Sequence, residues 1–202
     1  MKLLILATGF LLSSFAFAEG GFIPPDFGFD AGLSMGLGSM GNHSQAIPGR
    51  TMDTLALHVM PDYKISDLSL GLNFEYDLTG QTSDPVNSLN QNLKGHGWLL
   101  GVAGQYHFRD LWKVGDLIVS VGMDFLGTYS PSLNSLSGLS TSYTHPLGYR
   151  IGVGYPVCHE ATIDLAFRQD WYGHFNNGPT TTNISTDRLE QTNWSLGATY
   201  HY

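Results

Sequence analysis

Apolar and polar residues alternate with a period of two in eight separate stretches of this chain. In the first, Phe27, Phe29, Ala31, Leu33, Met35 and Leu37 alternate with Gly28, Asp30, Gly32, Ser34, Gly36 and Gly38. The second sets Leu55, Leu57 and Val59 against Ala56 and His58, and the third sets Leu68, Leu70, Leu72, Phe74, Tyr76 and Leu78 against Ser69, Gly71, Asn73, Glu75 and Asp77. The fourth runs Trp98, Leu100, Val102, Gly104, Tyr106, Phe108, and the fifth Leu117, Val119, Val121, Met123, Phe125 with Asp124 between, Ile118 and Leu126 breaking the alternation. The sixth has Tyr143, Leu147, Tyr149, Ile151, Val153 and Tyr155 around Arg150, and the seventh Ile163, Leu165, Phe167 and Trp171 around Asp164, Arg168 and Asp170. The eighth is WSLGATYHY, residues 194–202. Successive side chains of a strand point to opposite faces, so each stretch predicts a strand with one apolar and one polar face.

The connections alternate as well. Tight segments, PDYKISD, DLWKVGD and PVCHE, follow the second, fourth and sixth stretches. Long polar ones, such as GQTSDPVNSLNQNLK, follow the first, third, fifth and seventh. Short turns at one end and long loops at the other predict an all-β, eight-stranded antiparallel up-and-down transmembrane β-barrel. In that topology Tyr76, Trp98, Tyr129, Tyr143, Trp171 and Trp194 fall at loop ends, and Phe27, Phe29, Tyr106, Phe108, Tyr155, Tyr200 and Tyr202 at turn ends. Aliphatic residues lie between, the arrangement of two aromatic girdles around a membrane-spanning band. The last strand is expected to pair with the first, because an open sheet edge would be unsatisfied in lipid.

Composition narrows the class. The chain has 202 residues, a formal charge of −8 and only 13% charged residues. Lys2, the apolar run from Leu3 to Phe17 and the small-residue end at Ala18 read as a secretory signal peptide spanning 1–18, with 19–202 as one barrel domain. Cleavage leaves 202 − 18 = 184 residues and, with Lys2 gone, a charge of 8 − 17 = −9. Such acidity argues against nucleic acid as a partner. A single cysteine, Cys158, excludes an intramolecular disulfide. No later stretch offers eighteen consecutive apolar residues, so no transmembrane helix is expected. A water-soluble barrel of the lipocalin kind would turn its apolar face inward and need an outer face rich in Lys, Glu and Asp. The second face here is mostly Gly, Ser and Ala.

That polar face carries Asp30, Glu75, Asp77, Asp124, Asp164 and Asp170 against Arg150 and Arg168. Eight strands enclose barely enough room for their own side chains. The expectation is therefore a network in which each arginine bridges several carboxylates, with a narrow cation-selective path as the alternative. His58, His107 and His201 fall inward near the turn ends, and His43, His96, His145 and His174 near the loops. Neither group has local ligand spacing, so neither a metal nor another cofactor is expected.

By periodicity, loop asymmetry and girdles, the chain resembles the small eight-stranded outer-membrane proteins typified by the OmpA transmembrane domain, OmpX and OmpW. The stretch ending at Tyr202 resembles the C-terminal signal of bacterial outer-membrane proteins, in which alternating apolar residues end on an aromatic. The resemblance implies the outer membrane of a Gram-negative bacterium, with loops outside and outer-membrane lipid and the barrel-assembly machinery as partners. It also implies that barrels of this kind can associate as homo-oligomers. His174-Phe175-Asn176-Asn177 resembles the His-x-Ser-Asn segment of outer-membrane lipid A deacylases, but Asn176 stands where the nucleophile belongs, so no enzyme activity is expected. Two functions remain: a structural and surface-interaction barrel, or porin-like transport of small solutes through the interior or through an assembly enclosing lipid.

Overall fold

The computed structural model describes residues 26–42, 50–81, 94–111, 115–132, 141–177, 180–184 and 188–202. The expected signal peptide and His43 lie outside the described residues. Among the described residues nine strands form: β1 (Phe27–Asn42), β2 (Arg50–Ile65), β3 (Leu68–Gln81), β4 (Lys94–Leu111), β5 (Gly115–Ser132), β6 (Thr141–Cys158), β7 (Ala161–Asn177), β8 (Thr180–Asn183) and β9 (Leu189–His201). Each of β1 to β7 pairs antiparallel with the next, and β9 pairs with both β7 and β1. Eight strands thus close into a ring. The four-residue β8 stands outside it, paired to the loop end of β7.

Closure reaches Tyr202. Phe29 N–H donates to the Tyr202 carbonyl at 3.2 Å, Tyr202 N–H donates to the Phe29 carbonyl at 3.0 Å, and Lys64 Nζ donates to that same Tyr202 carbonyl at 3.2 Å. The aromatic end of the last strand is therefore held in the ladder with β1.

The alternation sorts residues as a barrel of membrane type requires. Outward-facing Leu33, Leu55, Leu70, Val102, Val121, Ile151, Leu165 and Leu196 are exposed, one on each successive strand around the ring. The largest apolar patch of a soluble monomer rarely exceeds ~600 Å², whereas this belt is continuous around the barrel and needs an apolar phase to cover it. About ten residues suffice for a tilted strand to cross a bilayer, and the ring strands run from 13 to 18, so they extend beyond it.

The alternation slips once in each of three neighbouring strands. In β5, Asp124 and Gly127 both face inward, with Phe125 and Leu126 both exposed between them. The β4–β5 register shifts by one residue at this point. In β6, Tyr143 and Pro146 are both buried, and the inserted residue His145 sits at φ 57°, the left-handed region. In β7, buried Tyr172 is followed by Phe175 as the next residue packed inside. The β5–β6 pairing stops at Asp124↔Gly148 and resumes at Thr128↔Thr144 with the same offset, so the two strands shift phase together. Pro146, lacking an N–H, sits in that unpaired interval.

The shift corrects two expectations. Tyr129 and Tyr143 do not join the loop-end girdle. They point into the barrel, 1% and 8% exposed, because one inserted residue reverses the face of every residue beyond it. Trp98 and Trp194, on strands without the slip at that height, are exposed on the outside. Tyr76 and Trp171 lie half-buried on that same outer face, Trp171 against Tyr149. At the turn end Phe27, Tyr106, Phe108, Tyr155, Tyr200 and Tyr202 are exposed outward, joined by Tyr63, which the alternation had not singled out.

Candidate functional site in the barrel interior

The interior is filled in three tiers, and β7 passes through all of them: Thr162 and Asp164, then Arg168 and Asp170, then Tyr172. The middle tier is the charge network. Arg168, 4% exposed, donates from Nη1 to Glu75 Oε1, from Nη2 to Asp77 Oδ2 at 2.5 Å, and its Nε faces Asp170 Oδ2 at 2.9 Å. Arg150 Nη1 donates to Glu75 Oε2 at 2.5 Å, with Nη2 3.7 Å from Asp124 Oδ2. Glu75 thus joins the two guanidinium groups. The planar fork of arginine suits this multiple bridging, which a point-charge ammonium could not reproduce. Space for the network is made by Gly148, where a Cβ would collide with the Asp170 carboxylate.

The lower tier uses acids the arginines do not reach. His201 Nδ1 lies 2.8 Å from Asp30 Oδ1, and its Nε2 lies 3.1 Å from Thr162 Oγ1. Thr162 Oγ1 is also placed to donate to Asp164 Oδ1 at 3.0 Å, while Thr199 Oγ1 is 2.5 Å from Asp164 Oδ2 and 3.2 Å from His58 Nε2. A polar chain therefore runs from Asp30 through His201, Thr162, Asp164 and Thr199 to His58. A cavity of about 50 Å³ separates it from the middle tier, lined by Ser34, His58, Glu75, Arg150, Asp164 and Arg168 among others. That is room for a few waters at most.

The upper tier is apolar. Met40, Met52, Leu99, Tyr129, Tyr143, Tyr172 and Leu189 form a buried cluster, with Phe175 and Ile184 packed against it. Tyr129 and Tyr172 rings lie 6.2 Å apart and Tyr143 and Phe175 rings 5.1 Å apart. The Tyr129 hydroxyl reaches the Thr79 hydroxyl at 3.0 Å. Ile184, directly after β8, donates its N–H to the Gly173 carbonyl at 2.9 Å and packs against the cluster.

Of the acids singled out in the sequence, Glu75, Asp77, Asp124 and Asp170 are gathered around Arg150 and Arg168. Asp30 and Asp164 belong to the lower chain instead. Sequence reasoning missed the upper cluster, although Met40, Met52, Leu99 and Leu189 sit at inward positions of their strands and so carried the signal. It also missed His58, Thr162 and Thr199 as a connected set, because the partners meet only through cross-strand register. Outside the ring, on the face opposite Tyr143 and Phe175, Asn176 Nδ2 lies 3.4 Å from both the Ser142 and Thr144 hydroxyls.

No protein-family model and no curated protein matches the chain. Among solved structures it is similar to Neisserial surface protein A, NspA, at 16% identity over 85% of this chain and 96% of that one, with a TM-score of 0.57. It is also similar to Ail, the attachment invasion locus protein of Yersinia pestis, in complex with the heparin analogue sucrose octasulfate, at 12% identity over 88% and 99% of the two chains and a TM-score of 0.55. At these identities the likeness is one of fold. The chain has the closed eight-stranded antiparallel fold of outer-membrane β-barrels.

Proposed function

We propose that this protein is an integral outer-membrane barrel of a Gram-negative bacterium, acting as a sealed structural element that presents its four long connections for contact outside the cell. The observation that carries this reading is the filled interior: an aromatic cluster closes the loop end and an arginine–carboxylate network closes the middle. Solutes would have to displace both. The continuous apolar belt supports a place in lipid, and outer-membrane lipid is then the principal partner. The barrel-assembly machinery would read the strand ending at Tyr202, and neighbouring barrels could associate through the belt. Asn176 in place of a nucleophile supports a non-enzymatic role.

Planar-bilayer recording tests the proposal. Purified protein should insert without producing conductance steps in symmetrical salt. Stable steps with cation preference in the wild type would overturn the sealed reading in favour of porin-like transport.

A further inference from the structure

His145 and His174 are 29 residues apart in sequence, yet their ring centroids lie 4.3 Å apart on the outer face at the loop end of the barrel. The register Thr144↔His174 brings them together. Two polar atoms at this pair are left without partners. His145 is the inserted residue of β6, its left-handed φ of 57° belonging to that slip, in a region that histidine enters more readily than most residues. His174 Nδ1 is buried without a hydrogen-bond partner, and so is Asn176 Oδ1 on the same face of the same strand. His145 Nδ1, in contrast, is engaged, 3.2 Å from the Thr144 hydroxyl.

We propose that His145 and His174 form a cross-strand binding site for a divalent transition metal ion of borderline softness, such as Zn²⁺, Cu²⁺ or Ni²⁺. His145 would supply Nε2, its other ring nitrogen being oriented by Thr144 in the manner usual for metal-ligating imidazoles. His174 would supply its unpartnered Nδ1 and Asn176 the unpartnered Oδ1, with water completing the shell. Two nitrogens bound tetrahedrally to one zinc ion at ordinary bond lengths lie roughly 3.3 Å apart. Imidazoles bound in their ring planes at that angle have centroids about 5 Å apart, so the two rings would part slightly from the 4.3 Å seen here. Imidazole donors select these metals over hard cations such as Mg²⁺ and Ca²⁺. Among the described residues no three His, Cys, Asp or Glu converge on a metal position, so the site is one of two imidazoles and an amide. Its ligands come from two strands, which is why no local spacing announces it.

The test is titration of the untagged, folded full chain in detergent with Zn²⁺, followed by calorimetry, together with Cu²⁺ electron paramagnetic resonance. One ion per chain and two equatorial nitrogens on copper are expected. His145→Ala and His174→Ala should each leave one nitrogen and weaken zinc binding by more than the roughly tenfold loss expected for Thr144→Val. His145→Gly should retain the heat-modifiable gel shift of a folded barrel while losing the second nitrogen. Zinc affinity and nitrogen count unchanged in both single variants, or no binding by the wild type, would overturn the proposal.

Discussion

Arg168 donates to Glu75 from 93 positions further along the chain, tying β7 to β3 across the middle of the barrel. The same guanidinium also faces Asp77 and Asp170, so one side chain holds three buried carboxylates.

Removing it should therefore cost more than removing its neighbour. Arg168→Met strands Asp77 and Asp170 outright, while Glu75 keeps Arg150, and leaving buried charges unpaired typically costs about 3–5 kcal/mol. Arg150→Met strands only Asp124 outright, since Glu75 keeps Arg168, and its effect should be distinctly smaller. Urea unfolding in detergent measures both. Equal losses would mean that the carboxylates do not depend on Arg168 as their shared partner.

The Tyr129–Thr79 bond offers a finer test. Tyr129→Phe removes the hydroxyl that reaches Thr79 at 3.0 Å and should cost about 1 kcal/mol. Thr79→Val should cost a similar amount, and the double variant less than the sum, because one lost interaction is counted in each single change. Strict additivity in the double-mutant cycle would show that the two hydroxyls are not coupled.

Lipid contact predicts a sign. Leu165 is about half exposed in the middle of the outward belt. If lipid covers it, Leu165→Arg should lower folding stability in phospholipid vesicles by about 2–4 kcal/mol. In a water-facing surface the same change would be worth within about 0.5 kcal/mol. A neutral result would place the belt in water and remove the membrane assignment.

The upper cluster predicts a gain of conductance. Tyr129→Ala combined with Tyr172→Ala removes two packed rings, each change costing about 3–5 kcal/mol if the site does not collapse. In planar bilayers the double variant should show steps absent from the wild type, with Arg168 still limiting their size. A variant that folds and stays silent would mean the middle tier alone seals the barrel.

Much of this was legible in the sequence, for a physical reason. An apolar outer belt and a mostly polar interior below the upper cluster impose strict alternation, so the strands, the inward set from Asp30 to Asp170 and the outward Trp98, Trp194 and Tyr155 could be read directly. The partnering could not. That Arg168 meets Glu75, while Asp164 meets Thr199, depends on the stagger between strands, which no local pattern records. The face of Tyr129 and Tyr143 was hidden for a different reason: it depends on whether one residue is inserted. Two marks were present, the consecutive apolar Phe125-Leu126 and Pro146 inside a strand, and both are ordinary signs of a bulge. Neither gives the number of residues inserted, and that number decides which way a tyrosine points.

The shared slip in β5, β6 and β7 makes this barrel sensitive to a kind of change that substitution tables do not describe. Deleting Phe125 alone would restore plain alternation to β5 and turn Tyr129 toward lipid, while Tyr143, directly opposite it, stayed inside. The wall would then have one strand inside out against its neighbour. Length changes in this stretch can be tolerated only when β5, β6 and β7 lose or gain together, so the closure of the outer mouth is written in residue count as much as in residue identity.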